Sequence, residues 1–174
     1  LLAPFREWWC GVACVHIHGG HVTYSAVLYI YYFCSLTETP MPPTDAPLVL
    51  RHDDGRGVAT LTLNRPQAFN SLSEGLLEAL QQHLDALAKD EHLRVLVIAA
   101  QGKAFCAGHD LKEMRAEPSL AYYQALFAQC GRMMMSLQKL PVPVIAKVQG
   151  IATAAGCQLV AQCDLAVAAD TARF

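Results

Sequence analysis

The sequence predicts an α/β domain over Leu48 to Phe174, with helices covering a largely buried sheet, and three observations carry that expectation. Short β-prone apolar runs alternate with longer stretches of helical periodicity. The run "RVLVIAA", Arg94 to Ala100, is continuously apolar, as in strands covered on both faces. Among the 174 residues, 53% are hydrophobic and 16% charged, a balance that suits one globular core rather than disorder.

The elements follow in order. "LVLRHDDGRGVATLTLN" holds two β-prone runs joined by Asp53-Asp54-Gly55, which predicts a hairpin with Val58 to Leu63 as its second strand. In "NSLSEGLLEALQQHLDALAKD", Ser71 and Glu74 have capping-box spacing, and Leu72, Leu76, Leu80, Leu84 and Leu87 share a face. A helix from about residue 72 to 89 is expected. Arg94 to Ala100 forms the next strand, and the loop "QGKAFCAGHDLKEM" follows it. Leu120 to Leu140 form a second long helix, in which Met133, Met134 and Met135 fill core gaps. "PVPVIAKVQG" supplies a further strand, "GIATAAGC" leads into a short helix, and Asp164 to Asp170 close with another strand. The expected order is ββα, then β-loop-α, then β-loop-α-β. No internal repeat is visible.

The first 46 residues read differently. Only Arg6, Glu7, Glu38 and Asp45 carry formal charge there, and Thr37 to Pro47, "TETPMPPTDAP", form a proline-rich linker. The uncharged run Val22 to Leu36 is shorter than the about 20 apolar residues of a bilayer span, so no membrane span is expected. A single arginine is too few for a mitochondrial presequence, and none is readable in the chain. Cys10, Cys14, His16, His18 and His21 have ligand chemistry for zinc but the spacing of no common zinc module, so no metal site is expected. Seven cysteines, an odd number without scaffold spacing, make a reducing compartment the default. The chain begins with Leu1, which suits a fragment or an atypical first exon. From Pro47 onward acidic and basic residues balance, which removes any electrostatic bias toward nucleic acid.

Two passages from strand to loop carry the chemistry. In "FCAGHDL" and "GIATAAGC" the chain leaves a buried strand through small residues, and the second opens a helix. Small residues let a ligand approach the backbone, and a helix start presents unpaired N–H donors. If the loops face each other, one N–H from each forms an oxyanion hole. Neither G-x-G-x-x-G nor a P-loop pattern occurs, so nucleotide phosphate has no cradle of the usual spacing. Cys106 and Cys157 have apolar neighbours and read as inert thiols.

The combination of "LNRPQAFNSL", "GKAFCAGHDLKEM", "LPVPVIAKVQGIATAAGCQLVAQCDLAVAAD" and the final "ARF" resembles the N-terminal half of the crotonase superfamily, the enoyl-CoA hydratase/isomerase family. The resemblance runs from about Leu48 to Phe174 and leaves the first 47 residues outside the fold. It implies a crotonase-like spiral of ββα units, here C-terminally truncated, and a role in fatty acid and lipid metabolism in the mitochondrion.

Carried over by position, the resemblance implies that the backbone N–H groups of His109 and Ala155 hold an acyl thioester oxygen. Coenzyme A would lie along Ala107, His109, Asp110, Leu111 and Lys112, with Gly156 in the facing loop and Gln67 and Ala68 near the adenine end. The ligand expected is an acyl-CoA; no other cofactor is implied. The full-length form is expected as a homotrimer or a hexamer. The His109 side chain need not damage a hole built from backbone, and Asp110 is expected to fix the loop through backbone hydrogen bonds. Asp164 is expected to anchor the strand that follows it.

Gln158 departs from the pattern. Hydratases of this family carry at that position a glutamate that helps activate water, and a second glutamate falls beyond Phe174. An amide orients water but does not accept its proton, and losing one acid/base group costs on the order of 10² to 10⁴ in rate. Efficient hydration is therefore not expected, and a catalytically inactive acyl-CoA-binding or subunit-interaction protein is the alternative. Without the rest of the family domain, apolar faces of the sheet and of the helix at Leu120 to Leu140 are expected to be exposed. The isolated chain is then expected to be unstable or to aggregate.

Overall fold

The computed structural model describes residues 46–174 together with two short strands before them, β1 (Ile17–His18) and β2 (His21–Val22). These two pair antiparallel, Ile17 opposite Val22, within a unit separate from Asp45–Phe174. Apart from those four residues, the Cys/His cluster, the apolar run Val22 to Leu36 and the linker up to Asp45 lie outside the described residues.

The hairpin forms where the turn signal placed it. β3 (Val49–Asp53) and β4 (Val58–Leu63) pair antiparallel, and Asp54 shapes the turn by accepting the N–H groups of Arg56 at 2.8 Å and Val58 at 3.1 Å. β5 (Val95–Ala100), β7 (Val144–Val148) and β9 (Leu165–Ala168) then add in parallel, giving one five-stranded sheet in the order β3-β4-β5-β7-β9.

Helix α1 (Glu74–Leu87) buries Leu76, Leu77, Leu80, Leu84 and Leu87 against β3, β4 and α3 (Leu120–Gln138). Its cap corrects the expected capping box: Ser73, not Ser71, accepts the Leu76 N–H, at 3.2 Å. Ser71 lies two residues earlier, and its hydroxyl is drawn to Asp110 instead. In α3, Met133 and Met134 fill the core, whereas Met135 points outward and is 47% exposed. Consecutive helical residues differ by about 100° in direction, so three in a row cannot all face inward.

The continuous apolar run of β5 does not signify equal cover on both faces. Leu96 and Ile98 are buried, but Val95 and Val97 on the other face are only partly so, and β4 alternates in the same way. β9, at the sheet edge, is exposed along its whole length, with Leu165 and Val167 accessible. Around the two loops of interest, three short elements were not expected from the sequence: β6 (Ala104–Cys106), α2 (Leu111–Ala116) and β8 (Ile151–Ala152). Each is too brief to show a period, yet all three bound the two loops of interest. Among the described residues, no helix is long and apolar enough to cross a membrane, and no His, Cys, Asp and Glu group is placed to hold a metal ion.

Candidate functional site

The loops meet because β5 and β7 are parallel neighbours, and parallel strands release their chains at the same end of the sheet. The chain leaving β5 continues into β6, and the chain leaving β7 continues into β8. These two pair in parallel, Ala104 with Ile151 and Cys106 with Ala152, so the loops beyond them start side by side. The Thr153 N–H donates to the Cys106 carbonyl at 3.0 Å and holds them together.

Contact this close requires missing side chains. A Cβ on Gly156, in the first turn of α4 (Ala155–Ala161), would collide with the Cys106 carbonyl oxygen. Gly108 adopts φ 91°, and a Cβ there would lie 3.0 Å from that of Ala154 and 3.4 Å from the Ala155 nitrogen. The expected small residues thus serve backbone approach between the loops themselves.

Two N–H groups are left over. Leu72 and His109 form an isolated parallel bridge, in which the Leu72 N–H donates to the Gly108 carbonyl at 2.7 Å and the Asp110 N–H donates to the Leu72 carbonyl at 3.1 Å. In such a bridge the paired residue's own N–H faces away from its partner. That residue is His109. Across from it, Ala155 is the first residue of α4, whose N–H lacks an intrahelical acceptor. Among the described residues, no hydrogen bond takes up the N–H of either His109 or Ala155. The preceding Ala154 sits at φ 49°, ψ −125°, a backbone state that costs a non-glycine residue about 1–3 kcal/mol.

Polar side chains fix the first loop from the other side. Asp110 caps α2 by accepting the N–H groups of Lys112 and Glu113 on Oδ1, while its Oδ2 takes Nη2 of Arg65 at 2.8 Å. Burial pushes the Asp110 carboxyl up, but the Arg65 hydrogen bond and charge, with the two backbone donors, outweigh it and hold the group below its ordinary value. Asn70, fully buried, donates from Nδ2 to the carbonyls of Gln101 at 2.8 Å and Ala104 at 2.9 Å and accepts the Arg65 N–H on Oδ1. The sequence reading missed Arg65, Asn70 and Ser71. The only signal for them was their polarity within "NRPQAFNSL", amid otherwise periodic segments.

The remaining candidates group around this frame. Gln67 and Ala68 form a 3-10 turn, Pro66–Ala68, tied to the first loop by the Ala107 N–H donating to the Phe69 carbonyl at 3.1 Å. The His109 ring stacks edge-on against Phe127 of α3 with centroids 5.1 Å apart, and its Nδ1 is buried without a hydrogen bond. Burial lowers the pKa of His109, against a smaller opposing pull from the Leu72 backbone, so the imidazole is neutral near pH 7. Leu111 and Lys112 lie on the exposed start of α2. Gln158 lies exposed at the end of the first turn of α4, beyond Gly156. Burial pushes the Cys106 thiol up to about 11, which keeps it protonated and inert. Asp164 is distant from these groups and accepts the Val144 N–H at 2.8 Å, tying the start of β7 to that of β9.

Comparison with known proteins places this geometry among relatives. Residues 53–174 match the family model described as enoyl-CoA hydratase/isomerase. The chain is 49% identical over 118 residues to enoyl-CoA hydratase domain-containing protein 3, mitochondrial, of Xenopus laevis, covering 68% of this chain and 40% of that one. It is 36% identical over 134 residues to human methylglutaconyl-CoA hydratase, mitochondrial, covering 75% of this chain and 39% of that one. Among solved structures, enoyl-CoA hydratase of Mycobacterium smegmatis superposes with a TM-score of 0.70 at 67% identity, over 71% of this chain and 48% of that one. The crystal structure of human enoyl coenzyme A hydratase domain-containing protein 3 gives 0.68 at 42% identity, over 72% and 49%. The chain thus spans less than half the length of each of these relatives.

Proposed function

This chain belongs to the enoyl-CoA hydratase/isomerase family and has the crotonase fold, and from that premise we propose that its two facing loops hold the carbonyl oxygen of an acyl-CoA thioester. The observation that carries the reading is the pair of unclaimed N–H groups, His109 and Ala155, on loops held in contact. Donors fixed by backbone need no reorganisation when charge builds on the oxygen, which is the requirement for stabilising an enolate. Coenzyme A would lie along Ala107 to Lys112, with its adenine end toward Gln67 and Ala68. The relatives are named as mitochondrial proteins, and by that resemblance so is this one. The ligand is an acyl-CoA of fatty acid metabolism, and the full-length form assembles as a homotrimer or hexamer.

Gln158 favours a second reading, in which the site binds acyl-CoA without hydrating it. An exposed amide one turn into α4 offers hydrogen bonds to water but no base to take its proton. Titration of crotonyl-CoA, with free CoA as control, into the wild type and Gln158→Glu separates these. Saturable binding in both, with hydration only in the glutamate variant, is expected. Turnover by the wild type, abolished by Ala155→Pro, would instead make it an enzyme in its own right. No preference for the thioester over free CoA in either protein would remove the acyl-CoA reading.

A further inference from the structure

We propose that Arg65 is the positioning residue of the acyl-carbonyl site, the side chain that sets the direction in which the His109 N–H points. The proposal rests on the reading that His109 and Ala155 hold that carbonyl.

The argument starts from where the guanidinium reaches. Nη1 donates to the Ser71 carbonyl at 2.9 Å and to its hydroxyl at 3.3 Å, while Nη2 donates to Asp110 Oδ2 at 2.8 Å. Ser71 precedes Leu72, and Asp110 follows His109. One planar group therefore grips the neighbour of each member of the Leu72–His109 bridge. The other oxygen of Asp110 is committed to the N–H groups of Lys112 and Glu113, so the carboxylate is held between the start of α2 and Arg65. The arginine is itself anchored, because its backbone N–H donates to Asn70 at 2.8 Å.

Stability alone does not account for this arrangement. The pair is largely withdrawn from water, with side chains 15% and 9% exposed, and burying such a pair costs desolvation that its attraction rarely repays with much surplus. Its geometric effect is less replaceable. A guanidinium donates in two fixed directions at once, whereas an ammonium is a point charge on a flexible stem. Arg65→Lys therefore keeps the charge beside Asp110 and loses the simultaneous hold on Ser71.

The test follows the bound carbonyl by infrared spectroscopy of butyryl-CoA labelled with carbon-13 at the thioester, using the full chain. In the wild type, binding lowers the carbonyl stretch. In Arg65→Lys that shift shrinks and affinity falls about tenfold, the scale of one misdirected hydrogen bond. Hydrogen exchange at the amides of Leu72 and Asp110, which bond across the bridge, accelerates while α1 and β5 keep their protection. Adding Asp110→Asn to Arg65→Lys costs no more than the worse single change, because both act through one contact. A wild-type shift that survives undiminished in Arg65→Lys overturns the proposal alone, as does exchange that quickens equally throughout the sheet. A wild type that binds butyryl-CoA with no shift, or does not bind it, overturns the acyl-carbonyl reading and the proposal together.

Discussion

The two loops present equivalent groups and are held by opposite means. The first, Ala107 to Asp110, is fixed by side chains: Arg65, distant in sequence, holds the Asp110 carboxylate, and Asn70 holds the Ala104 carbonyl of the strand that leads into the loop. The second, Thr153 to Gly156, is fixed by the lack of a side chain at one point, since a Cβ on Gly156 would collide with the Cys106 carbonyl. A loop of the first kind is sensitive to charge and hydrogen-bond deletion. One of the second kind is sensitive to added volume.

The sharpest way to break the comparison is therefore to exchange the two kinds of damage. Gly156→Val inserts atoms against backbone that cannot move aside, and a loss of more than about 3 kcal/mol in denaturant unfolding is expected, with acyl-CoA binding abolished. Asn70→Ala deletes hydrogen bonds to three backbone groups and puts alanine at φ 52°, where asparagine is better tolerated. A loss of about 2–3 kcal/mol is expected, and a loss below about 0.5 kcal/mol would show that the first loop is held by something else.

The third prediction uses pH, to which only the first loop should respond. The folded-state pKa values of Asp110 and His109 both lie below their ordinary values of 3.8 and 6.5. A group depressed in this way binds more protons when unfolded, so its contribution is complete above its ordinary value and is lost as pH falls through the folded one. Stability should therefore decline from about pH 6.5 for His109 and again below about pH 4 for Asp110. Asp110→Asn should shrink the second step, to which Asp54 in the β3–β4 turn also contributes, and leave the first, by thermal melts across that range. Lys112→Ala marks the small end of the scale. Its side chain is exposed and no side-chain hydrogen bond is seen for it, so unfolding should change by less than about 0.5 kcal/mol, whatever happens to coenzyme A affinity.

The frame was legible in the sequence because period and turn chemistry are local. The leucines of α1, the Asp54-Gly55 turn and the apolar runs of β5 and β7 each declare themselves within a few residues. The small residues at Gly108 and Gly156 were legible for a related reason, since glycine at a strand exit signals close backbone approach. The network on Arg65 was not, because its partners Ser71 and Asp110 become neighbours only after the sheet and the Leu72–His109 bridge have formed. Nor could the sequence separate Ser71 from Ser73 as the cap of α1: both precede the helix, and which one faces it depends on the bend at Phe69 and Asn70, where φ is 50° and 52°. Met135 was misplaced because sulfur-bearing side chains look alike in sequence whichever face they occupy.

The bridge that leaves His109 with a free amide bears on how such a site is interrogated. Alanine scanning changes nothing at Ala155, and at His109 it removes a ring while preserving the donor. A site made of main chain is invisible to a method that edits only side chains. Replacing the amide at each position by an ester linkage, through incorporation of the matching α-hydroxy acid, deletes the donor itself while leaving the side chain in place.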